Sequence, residues 1–322
     1  MPVASVLRKL GGAIGRRSSR WFEDIGHRHF DRLVASTLRK GRFQAVVGYE
    51  GSTERAFTVA KDLQITTILD AASLHYETQL QMNSGDGASP ARLRQKAAEI
   101  RLADVILVPS ILARESYERA GIPPEKLHVV PLGVNLGEFR PCRSNGQAPF
   151  TFAFAGNLTI SKGVDLLLQA FGQLRRLDRP MKLRLFGTGD LERSVVAPDI
   201  EWAGRVAHHV LARELPCADC VVLPSRFDSY GLVVAEALAS GVPVIVSDMV
   251  GAKDLVDRGR SGWIFPSGDL DALVRAMTAC LENAAQRELW REAARNSSQK
   301  ADWQIYHQTL ANTVDQILSR RK

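Results

Sequence analysis

Short apolar runs alternate with helical periodicity along most of the chain. In the first half the runs are Ala45–Tyr49, Thr66–Asp70, Val105–Pro109 and Leu127–Val130, with helix-like stretches around 53–63, 91–103 and 111–120. The segment Gly137–Pro149 is polar and rich in Gly and Pro, and it reads as a linker. Beyond it the alternation restarts. Strands are predicted at Thr151–Ala155, Met181–Phe186, Ile200–Ala203, Cys220–Pro224 and Val242–Val246. A helix over 164–177 places Val164, Leu167, Leu168, Phe171 and Leu174 on one face. Another, over 231–240, is stopped by Gly241. Trp303, Tyr306, Leu310, Val314 and Ile317 recur at helical spacing and predict a last helix over 303–322. Unbroken apolar strands separated by helices predict parallel sheets covered on both faces. The expected fold class is therefore α/β, with two Rossmann-like doubly wound domains in tandem. The expected divisions are a basic segment 1–42, a first domain 43–140, a second domain 141–302 and the terminal helix 303–322.

Composition narrows the class. The 322 residues are 45% hydrophobic and 24% charged, which excludes a wholly disordered chain. Four cysteines exclude a disulfide scaffold and suit a reducing compartment, so a cytoplasmic location is expected. The longest apolar stretch, Leu232–Ser247, is broken by Glu236, Gly241 and Pro243 and falls short of a membrane span. The net charge is +7, and residues 1–42 alone hold ten basic and three acidic side chains, so the whole excess (10 − 3 = +7) sits at one end. Such a segment suits an anionic membrane face, hence a peripheral site at the inner membrane, or an acidic acceptor; a solvated basic helix is the plain alternative. Nucleic acid is not expected, because no recognised motif accompanies the charge.

Chemistry concentrates in the second half. In Pro224-Ser-Arg-Phe-Asp-Ser-Tyr-Gly-Leu-Val-Val-Ala-Glu, a buried strand ends at Pro224 and a polar loop with Asp228, Ser229 and Gly231 enters a helix. Glu236 sits inside that otherwise apolar helix. A carboxylate there needs donors, from the protein or from ligand hydroxyls. Free N–H groups near Ser229–Leu232 suit a phosphate. In Phe154-Ala-Gly-Asn-Leu-Thr-Ile-Ser-Lys-Gly-Val-Asp, a strand ends at Gly156 and the loop carries Lys162 just before a helix. A cation is placed poorly for the macrodipole there, unless it meets an anion drawn to the same spot. Cys217-Ala-Asp-Cys220 has half-site spacing, but Cys142 and Cys280 are remote in sequence and no metal is expected. His208-His209 reads as surface.

These stretches resemble the retaining glycosyltransferases of family four, the glycosyl transferases group 1, which have the two-domain GT-B fold. The resemblance rests on Asp228 and Glu236, separated by seven residues, on "LPS" before them and on "YGLVVAEALASGVPVIVS" around and after. It spans about 43–285 and is strongest over 151–270. It implies a nucleotide diphosphate sugar as donor and a glycan or lipid-linked hydroxyl as acceptor, with no metal or cofactor. By resemblance Asp228 would contact sugar hydroxyls and Glu236 the ribose. The N–H groups of Tyr230, Gly231 and Leu232, beside Ser229, would hold the diphosphate or sugar. Gly156, Asn157 and Lys162 would line the donor, with Asn157 standing where the family usually has Arg. The backbone of Gly204-Arg205-Val206 would touch the base, with the Arg205 side chain in reach of a phosphate or simply at the surface. His75, after the strand ending at Asp70, would be the catalytic histidine on the acceptor side, alongside Lys162 and Asp228. The family begins with a strand and a Gly-rich loop, whereas this chain opens on a basic stretch with Gly11, Gly12 and Gly15. Its first domain is therefore expected to be shortened. Two rival functions remain: a non-catalytic nucleotide-sugar-binding partner protein, and a sugar-nucleotide epimerase of the same fold.

Overall fold

The structure, a computed structural model, describes residues 16–82, 89–142 and 149–319, with side chains from residue 26 onward. The chain divides into two compact units. Of the described residues, one holds those up to Val108, Arg114–Val129 and those from Asn312 on; the other holds Pro109–Ala113 and those between Val130 and Ala311. Among the described residues no helix is long and apolar enough to cross a membrane.

The first unit is built on four parallel strands, β1 (Ala45–Tyr49), β2 (Thr66–Asp70), β3 (Val105–Val108) and β4 (Leu127–Val129), adjacent in that order. β2 and β3 are almost wholly buried, as their unbroken apolar runs require. Helix α1 (Arg16–Leu38) sets Ala35 and Leu38 against Ala56, Val59 and Ala60 of α2 (Glu54–Asp62). Asp31, buried on α1, accepts the N–H groups of Arg55 (2.9 Å) and Ala56 (2.8 Å), filling the open donors of the first turn of α2. The short α3 (Tyr76–Gln81) follows β2, and α4 (Pro90–Leu102) precedes β3. On α4 the fully buried Glu99 accepts from the N–H groups of Gly51 (2.6 Å) and Thr53 (2.8 Å). Helix α5 (Ile111–Arg119) leads towards β4. The glycines at 11, 12 and 15 lie outside the described residues.

The second unit carries six parallel strands: β5 (Phe150–Ala155), β6 (Met181–Phe186), β7 (Ile200–Gly204), β8 (Cys220–Leu223), β9 (Val244–Ser247) and β10 (Gly262–Phe265). Their order is β10-β9-β8-β5-β6-β7, so the winding reverses between β5 and β8. Helices α6 (Val164–Leu174), α7 (His208–Glu214), α8 (Leu232–Ala239), α9 (Leu270–Glu282), α10 (Arg287–Ser298) and α11 (Trp303–Ser319) complete the described elements. On α6 the buried stripe is Val164, Leu166, Leu167, Ala170, Phe171 and Leu174; Leu168 is only half-buried and lies beside the predicted face. β10 and helices α3, α9 and α10 escaped the sequence reading; α3 and β10 are too short for a periodic signal, whereas α9 and α10 carry a clear amphipathic pattern.

Two expectations are corrected. The first is the linker over Gly137–Pro149, of which residues 143–148 lie outside the described residues. Phe139 is fully buried in the core of the second unit, and Arg295 of α10 donates to the carbonyls of Phe139 (3.1 Å), Leu136 (3.2 Å) and Ala239 (2.6 Å). Polar composition hid one aromatic anchor. The second concerns the cysteines. Those remote in sequence are neighbours in space: Cys280 lies near buried Cys220 and Cys142 near Cys217, while the Cys220 and Cys217 thiols donate to the carbonyls of Val221 and Arg213. All four are free thiols, and burial raises the Cys220 pKa.

Candidate functional site

All strands of the second sheet are parallel, so the loops after β5, β6, β7 and β8 leave from one edge. The loops after β5 and β8 flank the point where the strand order reverses, the place where open α/β sheets have room for a ligand.

The β5 loop carries Gly156 and Asn157, both exposed, and then half-buried Lys162. The β8 loop carries Asp228 and half-buried Ser229, then buried Tyr230 and Gly231 and exposed Leu232. The two loops are tied together. Lys162 Nζ lies 2.7 Å from Asp228 Oδ2. Arg226 donates its backbone N–H to the Ser161 carbonyl (2.9 Å) and a guanidinium N–H to the Ile160 carbonyl. It also grips Asp165, in the first turn of α6, with two bonds of 2.8 Å, which holds the Asp165 carboxyl below its usual pKa. Neither Arg226 nor Asp165 was singled out from the sequence. Their signal is a charged pair 61 residues apart, which no local spacing reveals.

The Asp228 backbone is pinned on both sides. Its N–H donates to the Met249 carbonyl (2.8 Å), and its carbonyl accepts from Gly251 (3.0 Å). Gly231 caps α8 in the left-handed region, at φ +85. The expected donor set around this cap needs one correction. The Tyr230 N–H turns to Asp228 Oδ1 (3.3 Å), and its buried hydroxyl donates to the Leu132 carbonyl (2.6 Å). Tyr230 therefore builds the turn, and burial raises its pKa. The outward donors of the first helical turn are left to Gly231 and Leu232.

A second element missed in the sequence is Gly187-Thr188-Gly189, directly after β6. A Cβ on Gly187 would stand 1.8 Å from the Gly156 carbonyl oxygen, so only glycine lets the β6 loop lie against the β5 loop. A Gly-x-Gly closing an apolar strand was the signal available.

Glu236 lies on α8 with its side chain 12% exposed. Its donor is His208, the first residue of α7 after the β7 loop, and this corrects the reading of His208 as mere surface. His208 is exposed, yet Nε2 lies 2.9 Å from Glu236 Oε1 and Nδ1 lies 3.3 Å from Glu138 Oε1, with the ring edge-on to Phe139. Two carboxylates on two ring nitrogens call for the doubly protonated imidazolium. The bond to Glu236 is the main reason the His208 pKa is raised above 6.5. The Glu236 pKa is raised too, because burial outweighs the opposing pull of His208. Both shifts act in one direction. Stability from the pair is full below the unfolded histidine pKa and is lost as pH climbs through the raised folded value. Wild-type protein is therefore expected to lose more thermal stability from pH 6 to pH 8 than His208→Ala. Equal losses in melting scans would refute the link. Arg205 is exposed and Val206 half-buried on the same loop, after Gly204.

His75 belongs to the first unit. It is 4% exposed, its ring Nδ1 accepts from the Glu77 N–H (3.4 Å) at the start of α3, and its backbone N–H donates to Ser116 Oγ (2.9 Å). Its ring lies 4.4 Å from that of Tyr76 and 5.1 Å from that of Tyr117. Burial lowers its pKa and favours the neutral ring.

Residues 149–283 match the family described as glycosyl transferases group 1. Over this segment the chain is similar to the glycosyl transferases group 1. Among similar proteins, a D-inositol 3-phosphate glycosyltransferase of Jonesia denitrificans is 32% identical over 218 residues, 59% of this chain and 51% of that protein. The sulfoquinovosyl transferase SQD2 of Arabidopsis thaliana is 27% identical over 66% of this chain and 44% of its own. The chain thus spans about half the length of these curated relatives. Among solved structures, sucrose-phosphate synthase from Thermosynechococcus elongatus superposes with a TM-score of 0.74 at 20% identity, over 90% of this chain and 78% of that one. Anabaena Alr3699/HepE in complex with UDP-glucose gives 0.68 at 19%, over 88% and 82%. These likenesses show the fold: two Rossmann-like α/β units of the GT-B class. The group 1 segment contains every expected donor-side residue from Gly156 to Glu236, and His75 lies outside it.

Proposed function

We propose that this chain transfers a hexose from a nucleotide diphosphate sugar to a hydroxyl acceptor, a glycan or a lipid-linked compound, with retention and without metal or cofactor. The observation that carries the reading is the 2.7 Å contact of Lys162 with Asp228 beside the strand-order reversal. It holds a cation in place where a diphosphate leaving group would gather charge as its bond to the anomeric carbon breaks. Fixed charges and N–H dipoles aimed at developing charge are strong catalytic devices. Lys162 and the N–H groups of Gly231 and Leu232 are the donors for it, with Gly156, Asn157 and Ser229 along the same loops. Glu236 receives the ribose hydroxyls, with Oε1 held by His208, and Arg205 and Val206 face the base. Asp228 orients Lys162 and offers its carboxylate to the sugar. His75 serves the acceptor side. The names of the relatives and the UDP-glucose bound by Alr3699/HepE support this choice of donor. The basic N-terminal segment holds the protein at the cytoplasmic face of an anionic membrane.

The test is to screen nucleotide sugars by thermal shift and then to follow product with candidate acceptors, reading anomeric configuration by NMR. Inversion in the product would overturn retention. Conversion of the donor with no acceptor present would favour an epimerase instead. Asn157, where the resembling family usually has Arg, favours a second reading, a donor-binding partner without transfer; donor binding with no product across the acceptor panel would support it. Glu236→Ala is expected to cut transfer at least ~100-fold, mainly through KM for the donor, as a buried carboxylate loses its ribose contacts. Near-normal KM would remove Glu236 from the donor site.

A further inference from the structure

A cavity of about 450 Å³ in the first unit is lined by Arg28 and Arg32 of α1, Arg55 of α2 and Arg94 of α4, with Asp31, Glu54, Ala91 and Gln95. Arg28 and Arg32 are one turn apart, so they share a face of α1. Among the described residues, no ion pair takes up any of these four guanidinium groups.

The acids of the lining do not neutralise them. Asp31 spends both carboxylate oxygens on the N–H groups of Arg55 and Ala56 and is buried. Glu54 is exposed and outside ion-pair reach of all four. The walls are set by buried contacts: Asp31 locks α1 to the start of α2, Ala35 and Leu38 pack on Ala56 and Ala60, and Glu99 pins the loop before α2 from α4. Like charges are thus brought together by the fold and, among the described residues, left without an ion-pair partner.

We infer that this cleft binds the phosphate group of a phosphate ester with a polar body. Guanidinium forks match tetrahedral phosphate oxygens two at a time. The volume exceeds what a bare phosphate fills, and Gln95 and Glu54 can meet hydroxyls on the remainder of the ligand. The same chemistry comes from a free phosphate ester or from a phospholipid headgroup. The second source is worth an arm of the test, because Phe30 and Leu33, more than half exposed, stand on α1 as well. The inference does not rest on the transfer chemistry, whose residues other than His75 lie in the other unit; the basic segment 1–42 shares Arg28 and Arg32 with the cleft.

The experiment uses the full chain with two probes: glycerol 3-phosphate by calorimetry, and vesicles of phosphatidylglycerol with phosphatidylcholine by co-sedimentation, against pure phosphatidylcholine. Arg32→Gln/Arg94→Gln is expected to weaken binding roughly tenfold or more, on the scale of losing charged hydrogen bonds. Arg260→Gln/Arg275→Gln, which removes the same charge from exposed sites of the other unit, is expected to leave it unchanged. Arg28→Gln/Arg55→Gln serves if the first pair proves unstable. Loss of vesicle binding alone assigns the ligand to a headgroup, and loss of soluble binding alone to a free ester. Either result, or both, supports the cleft. No saturable binding of either probe, or equal weakening by the control pair, would overturn it.

Discussion

Lys162→Ala is expected to lower transfer at least ~100-fold, the scale of losing one key electrostatic donor in an active site. Lys162 stands before the left-handed Gly163 that caps α6, a place where a helix favours anions rather than cations. Two features reconcile the chain to it. Asp228 partners the ammonium at 2.7 Å, and Asp165 with Arg226 supplies the acid that the first turn prefers. In the proposed reaction the ammonium acts most strongly when the diphosphate departs. The loss should therefore fall on kcat and kcat/KM together, with KM for the donor little changed. Lys162→Arg should recover part of the rate. Asp228→Asn should lower it less than Lys162→Ala, since the cation stays. A Lys162→Ala enzyme with a near-normal kcat would remove Lys162 from the leaving-group site. Melting temperature serves as the control, because Asp228 also accepts from Tyr230 and the pair is partly exposed.

Gly163→Ala is expected to destabilise the second unit strongly. Gly163 has φ +70, and a Cβ there would stand 1.9 Å from the carbonyl oxygen of Pro224, a backbone atom that cannot swing away. The left-handed conformation costs ~1–2 kcal/mol for an L side chain. Forcing a methyl into a packed contact adds ~1–3 kcal/mol. The sum is about 3 kcal/mol in denaturant unfolding. Transfer should fall with it, because pushing the loops apart also breaks Lys162–Asp228 and Arg226–Ser161. Gly172→Ala is the control: a Cβ there meets nothing within 4 Å inside α6, and it should stabilise by ~0.5–1 kcal/mol. A Gly163→Ala protein as stable as wild type would mean that the β5 and β8 loops do not touch as described.

Much of the architecture was legible because buried parallel strands are written as unbroken apolar runs. Thr66–Asp70 and Met181–Phe186 fall where the runs are, to the residue. Gly262–Phe265 was missed: two of its four residues are only half-buried, and an edge strand needs no such run. Phe139 was missed because one aromatic in a polar, Gly- and Pro-rich stretch leaves no period to read. In the site, Lys162, Asp228 and Glu236 stood out as charges set against apolar surroundings. Their partners did not. His208 looked like a solvated residue, and only the fold brings its ring between Glu138 and Glu236.

The order of amino acids settled the class of fold, the ends of most strands and the residues that carry charge at those ends. These are local properties, set by side-chain burial within a few residues. The strand order β10-β9-β8-β5-β6-β7 is a property of the folded chain. It places the loop of Lys162 against that of Asp228, 66 residues on, and turns Tyr230 inward; in the first unit, the packing of three helices gathers four arginines around one cleft. Such pairings depend on which distant surfaces bury each other. A free energy summed over the whole core selects them, and no short stretch of sequence encodes that sum.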